Sequence, residues 1–285
     1  MPYVSIMPAV NAEVKERHLV EWMRAHGPIA IGFSGGVDSA YLAAVAVEAL
    51  GADGAIALIG HSASLAGSEE DNALEVARSL GIPVLQVETT ELDDARYAAN
   101  PTNRCYFCKT VLWDTLVPIA AERGFRTVID GTNADDLHDY RPGGKAAAEH
   151  GVQSPLAAVG FTKQEIRDRT RARGLPWWDR PASPCLASRL PYGTAVTPER
   201  LRQVDRAETA LRALGVTGNL RVRHHGDRAR VEMDVAELAR WSTGEARARV
   251  ERVVRDAGYA EVELDQRGFR SGSLNVLHGA AVPGA

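Results

Sequence analysis

The sequence predicts an α/β fold in which a Rossmann-like parallel sheet is followed by a smaller α+β domain. Up to about Leu175, short apolar runs alternate with helix-length segments, a pattern typical of parallel strands covered by helices on both faces. Beyond a proline-rich stretch, apolar residues alternate with charged ones as in a half-exposed hairpin. These observations divide the 285 residues into domains at 1–176 and 196–285, joined by the loop 177–195.

Four buried strands are predicted in the first domain, each from a short apolar run. Helices are expected between them, and Gly51, Gly81 and Gly124 are placed to end three of these. A capping box at 162–165 opens a further helix. The predicted strands are 28–33, 54–60, 83–87 and 126–130, and the predicted helices are 39–47, 68–80, 108–123 and 162–173.

The smaller domain is predicted to contain two helices and three strands. Its first two strands form a hairpin that turns at Gly226 and Asp227. The pair His224 and His225 at the hairpin end is expected to be exposed. The predicted helices are 197–215 and 244–257, and the predicted strands are 220–223, 229–233 and 260–264.

Composition limits the classes of function that are open to the chain. Its formal net charge of −4 provides no general attraction to a nucleic-acid backbone. No apolar run reaches the length of a membrane span, about 18 residues, and no secretory signal is visible. We therefore expect a cytoplasmic protein with no membrane partner and no nucleic-acid partner.

The segment Ser34-Gly35-Gly36-Val37-Asp38-Ser39 joins the first predicted strand to the first predicted helix. A glycine turn at such a junction lets the backbone approach an anion, and the helix N-terminus supplies free N–H groups and partial positive charge. Walker-type loops add a lysine that reaches the terminal phosphates, but this loop contains none. Asp38 instead stands where it could hold a hydrated Mg²⁺. The loop is predicted to bind a pyrophosphate rather than to transfer a terminal phosphoryl group.

A second group of small and acidic residues, 130–136, follows the fourth predicted strand. Ligands of parallel sheets bind beyond the carboxyl ends of the strands, so Gly131, Thr132 and Asn133 are expected beside the first loop. A solvated turn would use the same residue types. The position favours a metal or phosphate role.

The loop at 34–39 resembles the PP-loop of the ATP pyrophosphatases. This resemblance implies attack on the α-phosphate of ATP, release of pyrophosphate and an adenylated intermediate. By the same resemblance, a pyrophosphate-holding role falls to Ser34, Gly35, Gly36 and Ser39. Asp38 would bind Mg²⁺.

The chain has three cysteines, Cys105, Cys108 and Cys185. An odd number in a reducing compartment favours metal or thiol chemistry over a disulfide framework. Three cysteines and a histidine would complete a zinc site, whereas three alone would hold a [4Fe–4S] cluster with one open iron. Two buried, apolar cysteines on a helix fit the spacing equally well. Arg189 is expected to give Cys185 thiolate character.

The segment around Cys185 makes the chain similar to one PP-loop family in particular, the LarE-type ATP-dependent sulfur transferases. That family helps to assemble the nickel-pincer cofactor of lactate racemase. The resemblance implies adenylation of a carboxylate of a pyridinium biscarboxylate mononucleotide, followed by replacement of the activated oxygen with sulfur. The matching segments, which span nearly the whole chain, are 34–39, 130–143, 154–156, 183–193, 220–226 and 268–273.

The resemblance to this family implies two alternative sources of the sulfur. In many members one cysteine gives up its own sulfur and becomes dehydroalanine, and Cys185 occupies that position. Other members carry three cysteines and resemble cluster enzymes, whose open iron carries an extra sulfide. Because this chain has the C-x-x-C pair, the resemblance implies the cluster variant, with Cys105, Cys108 and Cys185 as ligands and a separate sulfur donor. Sacrifice of Cys185 is the alternative.

The substrate implied by the resemblance carries carboxylates and a phosphate, which arginine binds in bidentate fashion. Arg221 and Arg223 alternate on one face of a strand and are expected to bind it, together with Glu232. A solvated strand face is the alternative for these charges. The residues expected to take part in catalysis are Cys185, Asp38 and Arg189.

Two further functions remain open from the sequence. A PP-loop tRNA thiolation enzyme can combine the same loop with a three-cysteine cluster, although the acidic net charge and the lack of a basic stripe weigh against RNA binding. A nucleotide-binding sensor with a structural zinc would need no catalysis. The family resemblance also implies a homo-oligomer.

Overall fold

The computed structural model describes residues 11–138, 141–181 and 183–270, so residues 139–140 and 271–273 of the family-like segments lie outside the described residues. The first strands are β1 (Ile29–Gly32), β2 (Ala55–His61), β3 (Val84–Glu88) and β4 (Thr127–Ile129). They form one sheet in the order β3-β2-β1-β4, in which β1 pairs in parallel with β2 and β4. The predicted α/β fold is confirmed.

Strand β1 lies inside this sheet, between β2 and β4, and its residues are apolar. Ile29, Ala30 and Ile31 are fully buried. At the strand's last residue, a Cβ atom on Gly32 would come within 2.4 Å of the Trp113 ring. Glycine therefore lets the tryptophan cover the end of the strand from which the loop at 34–39 departs.

Helices separate the strands, as the alternating pattern predicts. The first of them, α1, was not predicted from the sequence; Asn11 caps its N-terminus and Leu19 and Met23 are its buried residues. The capping box at Thr162 and Glu165 is confirmed. The helices are α1 (Ala12–His26), α2 (Val37–Leu50), α3 (Gly67–Leu80), α4 (Ala95–Ala98), α5 (Arg104–Glu122), α6 (Pro142–Glu149), α7 (Pro155–Ala158) and α8 (Lys163–Ala172).

The later part of the chain contains a second sheet with its own helices. The strands are β5 (Leu220–His225), β6 (Arg228–Met233) and β7 (Glu261–Leu264), and the helices are α9 (Pro198–Ala213), α10 (Val235–Trp241) and α11 (Gly244–Asp256). The predicted hairpin is confirmed, because β5 pairs with β6 in antiparallel fashion; β7 then pairs with β6 in parallel. Helix α10 was not predicted.

The hairpin is not half-exposed, so that expectation was wrong. The first five residues of β5 are all buried, because α9 and the turn Leu186–Arg189 pack against the strand. Arg221 and Arg223 are each only 5% exposed. His224 is also buried, contrary to the prediction of an exposed histidine pair. Alternation of charged residues therefore marks buried charge here.

Contacts divide the chain into two compact units. The first contains the described residues up to Gly60, Ala73–Val87 and Trp113–Arg180; the second contains His61–Asn72, Glu88–Leu112 and the described residues from Pro181 onward. The predicted domain limits at 1–176, 177–195 and 196–285 stay a prediction. No helix within the described ranges is long and apolar enough to cross a membrane.

Candidate functional site

The loop at 34–39 folds into a tight turn between β1 and α2. Gly35 adopts a φ of 68°, a left-handed conformation that favours glycine. The Ser34 and Ser39 hydroxyls lie 3.2 Å apart, and Ser39 Oγ donates to the carbonyl of Gly36 at 3.1 Å. Gly36 is the N-cap of α2 and provides no side-chain cap. The first N–H groups of the helix are thus left uncapped by a side chain, as an anion site requires.

The second loop lies directly against the first, as predicted. A Cβ atom on Gly131 would be 3.0 Å from the backbone nitrogen of Ser39, so a larger residue would require the two loops to separate by a few tenths of an ångström. The Asp130 carboxylate accepts hydrogen bonds from the Thr132 hydroxyl at 2.9 Å and the Ser154 hydroxyl at 2.7 Å. Asp130 therefore braces the loop that carries Gly131 and Thr132.

Asn133 braces the rest of this loop. It is buried, and its Oδ1 accepts from the backbone N–H groups of Asp135 at 3.0 Å and Asp136 at 3.3 Å. Its own N–H donates to Asp136 Oδ2 at 3.1 Å. Arg141 forms an ion pair with the same carboxylate at 2.6 Å. Asn133 therefore fixes the position of an acidic side chain.

Lys163 supplies the positive charge that the loop itself lacks. It is the first residue of α8, and its ammonium group forms an ion pair with Asp38 Oδ2. Its backbone N–H donates to Asp135 Oδ2 at 2.8 Å. Sequence reasoning missed this residue, and the one available signal was that Lys163 is among only four lysines. The fold thus brings a lysine to the loop at 34–39 from 125 residues away.

The other oxygen of Asp38 is available for a cation. Among the described residues, Asp38 Oδ1 is a buried atom with no hydrogen-bond partner. Burial raises the pKa of Asp136, and the negative charge of nearby Asp38 adds to this increase. The positive charges of Arg141 and Lys163 act in the opposite direction. Two carboxylates and a lysine therefore interact at the start of α2.

All three cysteines belong to the second unit. Cys105 and Cys108 lie in the first turns of α5, and Cys185 directly precedes the turn Leu186–Arg189. Cys105 is exposed, the other two are half-buried, and none of the three forms a disulfide. Cys108 and Cys185 pack against one apolar cluster that includes Tyr97. The fold thus brings the C-x-x-C helix and the Cys185 segment together.

The thiols also interact electrostatically. Burial raises the pKa of Cys108 to about 12. Lys109 opposes this increase, whereas Cys185, Glu91 and Cys105 add to it. Within the described part of the chain, no three His, Cys, Asp or Glu side chains are grouped closely enough to hold a metal ion.

Tyr97 is a further residue beside the thiols that sequence reasoning missed. Its side chain is 1% exposed and its hydroxyl lies 2.7 Å from Ser64 Oγ. Burial raises its pKa, and the neighbouring Cys185 adds to the increase. The backbone of Ser64 in turn accepts a hydrogen bond from the N–H of Leu186 at 2.9 Å. Nothing in the local sequence distinguishes this tyrosine from an ordinary core residue.

Arg189 holds the Cys185 segment in place. Its buried guanidinium forms two hydrogen bonds with Glu208, at 2.9 and 2.8 Å, and donates to the carbonyl of Cys185 at 3.2 Å. It also donates to the carbonyl of Pro184. These contacts give Arg189 a structural part in the segment, and its predicted catalytic role stays a prediction.

The predicted substrate residues lie together in the second unit. Arg223 pairs with the buried Glu232 at 2.8 Å and donates to the carbonyl of Ser188 at 3.0 Å. Arg221 lies over the ring of Phe269 at 5.2 Å. Burial lowers the pKa of Arg221 to about 10, and repulsion from Arg189 and other arginines adds to this. A bound anion would relieve that repulsion.

Comparisons with known proteins identify the relatives of this chain. The family model for NAD synthase matches residues 12–105, which include the loop at 34–39. The chain is 44% identical over 245 residues to an uncharacterized protein of Synechocystis sp., covering 86% of this chain and 91% of that protein. It is 35% identical over 261 residues to pyridinium-3,5-bisthiocarboxylic acid mononucleotide synthase of Lactiplantibacillus plantarum, covering 92% and 94%. A shorter match, 38% identical over 71 residues, covers 25% of this chain and 27% of the NH(3)-dependent NAD(+) synthetase of Methanococcoides burtonii.

Proposed function

We propose, because the chain belongs to the family of pyridinium-3,5-bisthiocarboxylic acid mononucleotide synthases, that it converts carboxylates of a pyridinium biscarboxylate mononucleotide into thiocarboxylates. The protein is an ATP-using sulfur transferase with a PP-loop domain. Its product would serve the assembly of a nickel-pincer cofactor. The observation that supports the ATP-dependent step best is the uncapped helix N-terminus behind a lysine-free glycine loop, with Asp38 and Lys163 beside it.

The first half-reaction activates the substrate. A carboxylate oxygen attacks the α-phosphorus of ATP, the bond to the bridging oxygen breaks, and pyrophosphate leaves with its electron pair. The product is an acyl adenylate. Backbone N–H groups at the start of α2 and the Ser34 and Ser39 hydroxyls would bind the leaving pyrophosphate. Lys163 would neutralise part of its charge, because its ammonium group is already beside the loop.

Asp38 fits the part of a Mg²⁺ ligand. Its Oδ1 is buried and, in the described residues, has no hydrogen-bond partner, an arrangement that a cation would stabilise. Mg²⁺ in nucleotide sites is held by one or two carboxylates, by phosphate oxygens and by water. When bound, the ion would supply charge neutralisation at the departing pyrophosphate. Asp136, whose charge interacts with that of Asp38, is the second candidate ligand.

The second half-reaction delivers sulfur. A sulfur nucleophile attacks the acyl carbon, the bond to the adenylate oxygen breaks, and AMP leaves. Cys105, Cys108 and Cys185 would hold a [4Fe–4S] cluster, whose open iron would supply a sulfide for this attack. The donor set fits such a cluster, since all three thiols belong to one unit, and Cys105 and Cys185 both raise the pKa of Cys108. In this structure the three are not grouped closely enough to hold a metal, so the cluster is proposed on the donor set and the family resemblance.

Buried arginines would hold the substrate's anionic groups. Arg221 and Arg223 follow each other on one face of β5, and Arg223 is oriented by Glu232. A phosphate or carboxylate placed at Arg221 would offset the repulsion among the guanidinium groups. A cytoplasmic location and a homo-oligomeric state are further parts of this proposal.

The nucleotide products test the ATP-dependent step. Purified protein loaded with sulfide is incubated with ATP, Mg²⁺ and the biscarboxylate mononucleotide, and the nucleotides are separated by chromatography. Formation of AMP and pyrophosphate in equal amounts is expected. Formation of ADP and phosphate would rule out adenylation.

The sulfur source is tested by analysis of protein purified without oxygen. Brown protein that contains iron and acid-labile sulfide is expected, and colourless protein with stoichiometric zinc would overturn the cluster. Mass spectrometry of Cys185 after one turnover separates the two sulfur sources. An unchanged cysteine is expected for the cluster, whereas loss of hydrogen sulfide would show that Cys185 is consumed.

A further inference from the structure

Asn100 stands between the two cysteine-bearing segments of the second unit. It is fully buried, and among the non-glycine residues that the structure describes it alone has a positive φ, 56°. Such a left-handed conformation costs an ordinary side chain free energy and is best tolerated by asparagine. A strained residue in a buried position persists when surrounding contacts fix it.

The side-chain amide of Asn100 connects both segments. Its Nδ2 donates to the carbonyls of Pro191 and Thr194, at 2.8 Å each, in the stretch that follows Cys185. Its Oδ1 accepts from Nη1 of Arg104 at 2.7 Å. Both amide hydrogens and the oxygen are therefore used, which satisfies a buried carboxamide.

Arg104 carries this connection to the C-x-x-C helix. It is the first residue of α5 and directly precedes Cys105. Its guanidinium also lies over the ring of Tyr192 at 5.2 Å. The backbone carbonyl of Asn100 accepts a hydrogen bond from the N–H of Gly193 at 2.9 Å, so the main chain of Asn100 also contacts the stretch that follows Cys185. The contacts of Asn100 and Arg104 thus run from one cysteine segment to the other.

We propose that Asn100 is a positioning residue for sulfur transfer, which fixes the Cys185 segment against the helix of Cys105 and Cys108. This inference rests on the proposed function in that the three thiols act together. Asn100 touches no reacting atom in this scheme. It acts by holding the carbonyls of Pro191 and Thr194.

Two substitutions separate the side chain from the backbone. Asn100→Gly keeps the left-handed conformation without strain and removes the three side-chain hydrogen bonds. Asn100→Asp keeps the shape and the acceptor for Arg104, but places a carboxylate oxygen, which has no proton to donate, against two carbonyls. The matched control is Gln203→Ala in α9, because the amide of Gln203 also donates to a backbone carbonyl, that of Gly258 at 2.7 Å.

Alkylation of individual thiols in metal-free protein measures how firmly the Cys185 segment is held against the helix of Cys105 and Cys108. The protein is pulsed with iodoacetamide, and each cysteine peptide is quantified by mass spectrometry. Release of the segment should raise the alkylation rates of half-buried Cys108 and Cys185 by roughly tenfold, the scale of one lost buried hydrogen bond. Exposed Cys105 is the internal reference, and its rate should stay unchanged. Gln203→Ala should leave all three rates unchanged.

A second measurement separates positioning from general damage. In the first turnover, the Asn100 variants should release pyrophosphate from ATP at the normal rate, while formation of the thiocarboxylate falls. Unchanged alkylation of Cys108 and Cys185 in both variants would overturn the proposal. Unfolding of both, seen by circular dichroism, would also overturn it, because Asn100 would then serve folding alone. Failure of the proposed function itself would instead appear in the unsubstituted protein, as ADP formation or as no sulfur transfer.

Discussion

Asp38 and Lys163 form an ion pair whose two members have different tasks in the proposed reaction. In the described residues, the buried Oδ1 of Asp38 has no hydrogen-bond partner, and the ammonium group of Lys163 forms an ion pair with Oδ2. A cation that binds to Asp38 competes with the lysine for its charge, and a polyphosphate attracts the released ammonium group. ATP and Mg²⁺ together can therefore replace this ion pair by two new ones, Asp38 with Mg²⁺ and Lys163 with the polyphosphate.

Loss of the Lys163 charge should slow adenylation. Lys163→Met removes an ammonium group that would stabilise charge on the departing pyrophosphate, and we expect the rate of pyrophosphate release to fall by about a hundredfold. The matched control is Lys145→Met in α6, a lysine of the same unit that pairs with Glu149 at 3.7 Å. An unchanged rate for Lys163→Met would exclude a role for this amine in the activation step.

At the scale of elements, Glu16 joins three helices of the first unit. Its carboxylate in α1 accepts hydrogen bonds from Arg169 of α8 at 3.0 Å and Arg173, just beyond α8, at 3.2 Å, and from Tyr41 of α2 at 2.6 Å. Burial alone would raise the pKa of Glu16, but these hydrogen bonds outweigh it and lower the pKa to about 2. The same helices, α2 and α8, carry Asp38 and Lys163, so this cluster supports the elements that hold the proposed ATP site.

Glu16→Gln should destabilise the protein in a pH-dependent manner. Because the folded-state pKa lies below the ordinary glutamate value of 4.5, the ionised group contributes stability above pH 4.5, and this stability is lost as pH falls towards 2. We expect a loss of free energy of unfolding on the order of 2–3 kcal/mol at pH 7. Urea unfolding of both proteins at pH 7 and at pH 3 measures the difference.

That difference should shrink at the lower pH. Glu21→Gln is the control, because Glu21 is an exposed carboxylate on the same helix. A difference between wild type and Glu16→Gln that is equal at both pH values would contradict a stabilising role of the ionised Glu16.

At the scale of the whole molecule, the two half-reactions are assigned to different units. The loops at 34–39 and 130–136, with Asp38 and Lys163, belong to the first unit, whereas the three cysteines and the buried arginines belong to the second. Helices α3 and α5 each begin in the second unit and end in the first. We therefore expect the chemistry of activation to be separable from that of sulfur delivery.

Cys185→Ala should abolish one half-reaction and keep the other. The variant lacks the thiol that either ligates the cluster or donates sulfur, but it keeps every residue assigned to ATP. We expect pyrophosphate release with the mononucleotide at the normal rate for the first turnover, and no thiocarboxylate. Rapid-quench analysis of both products checks this. Loss of pyrophosphate release in a folded variant would show that the two steps are not separable.

The sequence predicts well what depends on local pattern. Buried strands, helix ends and the loop at 34–39 follow from apolar runs and glycines, and the structure has them within a few residues. Contacts between distant segments could not be predicted. Lys163 reaches Asp38 across 125 residues, and the role of Asn100 depends on the carbonyls of Pro191 and Thr194. The alternation of charged and apolar residues could not show that Arg221 and Arg223 are buried, because the same alternation is found on a half-exposed strand.

One single-turnover measurement tests the central claim most directly. Protein purified without oxygen and loaded with sulfide is mixed with equimolar ATP and the pyridinium biscarboxylate mononucleotide, and the substrate is recovered for mass spectrometry. The account predicts that one oxygen of the substrate is replaced by sulfur and that one AMP forms for each replacement. Recovery of unmodified substrate beside AMP, or sulfur transfer without ATP cleavage, would contradict it.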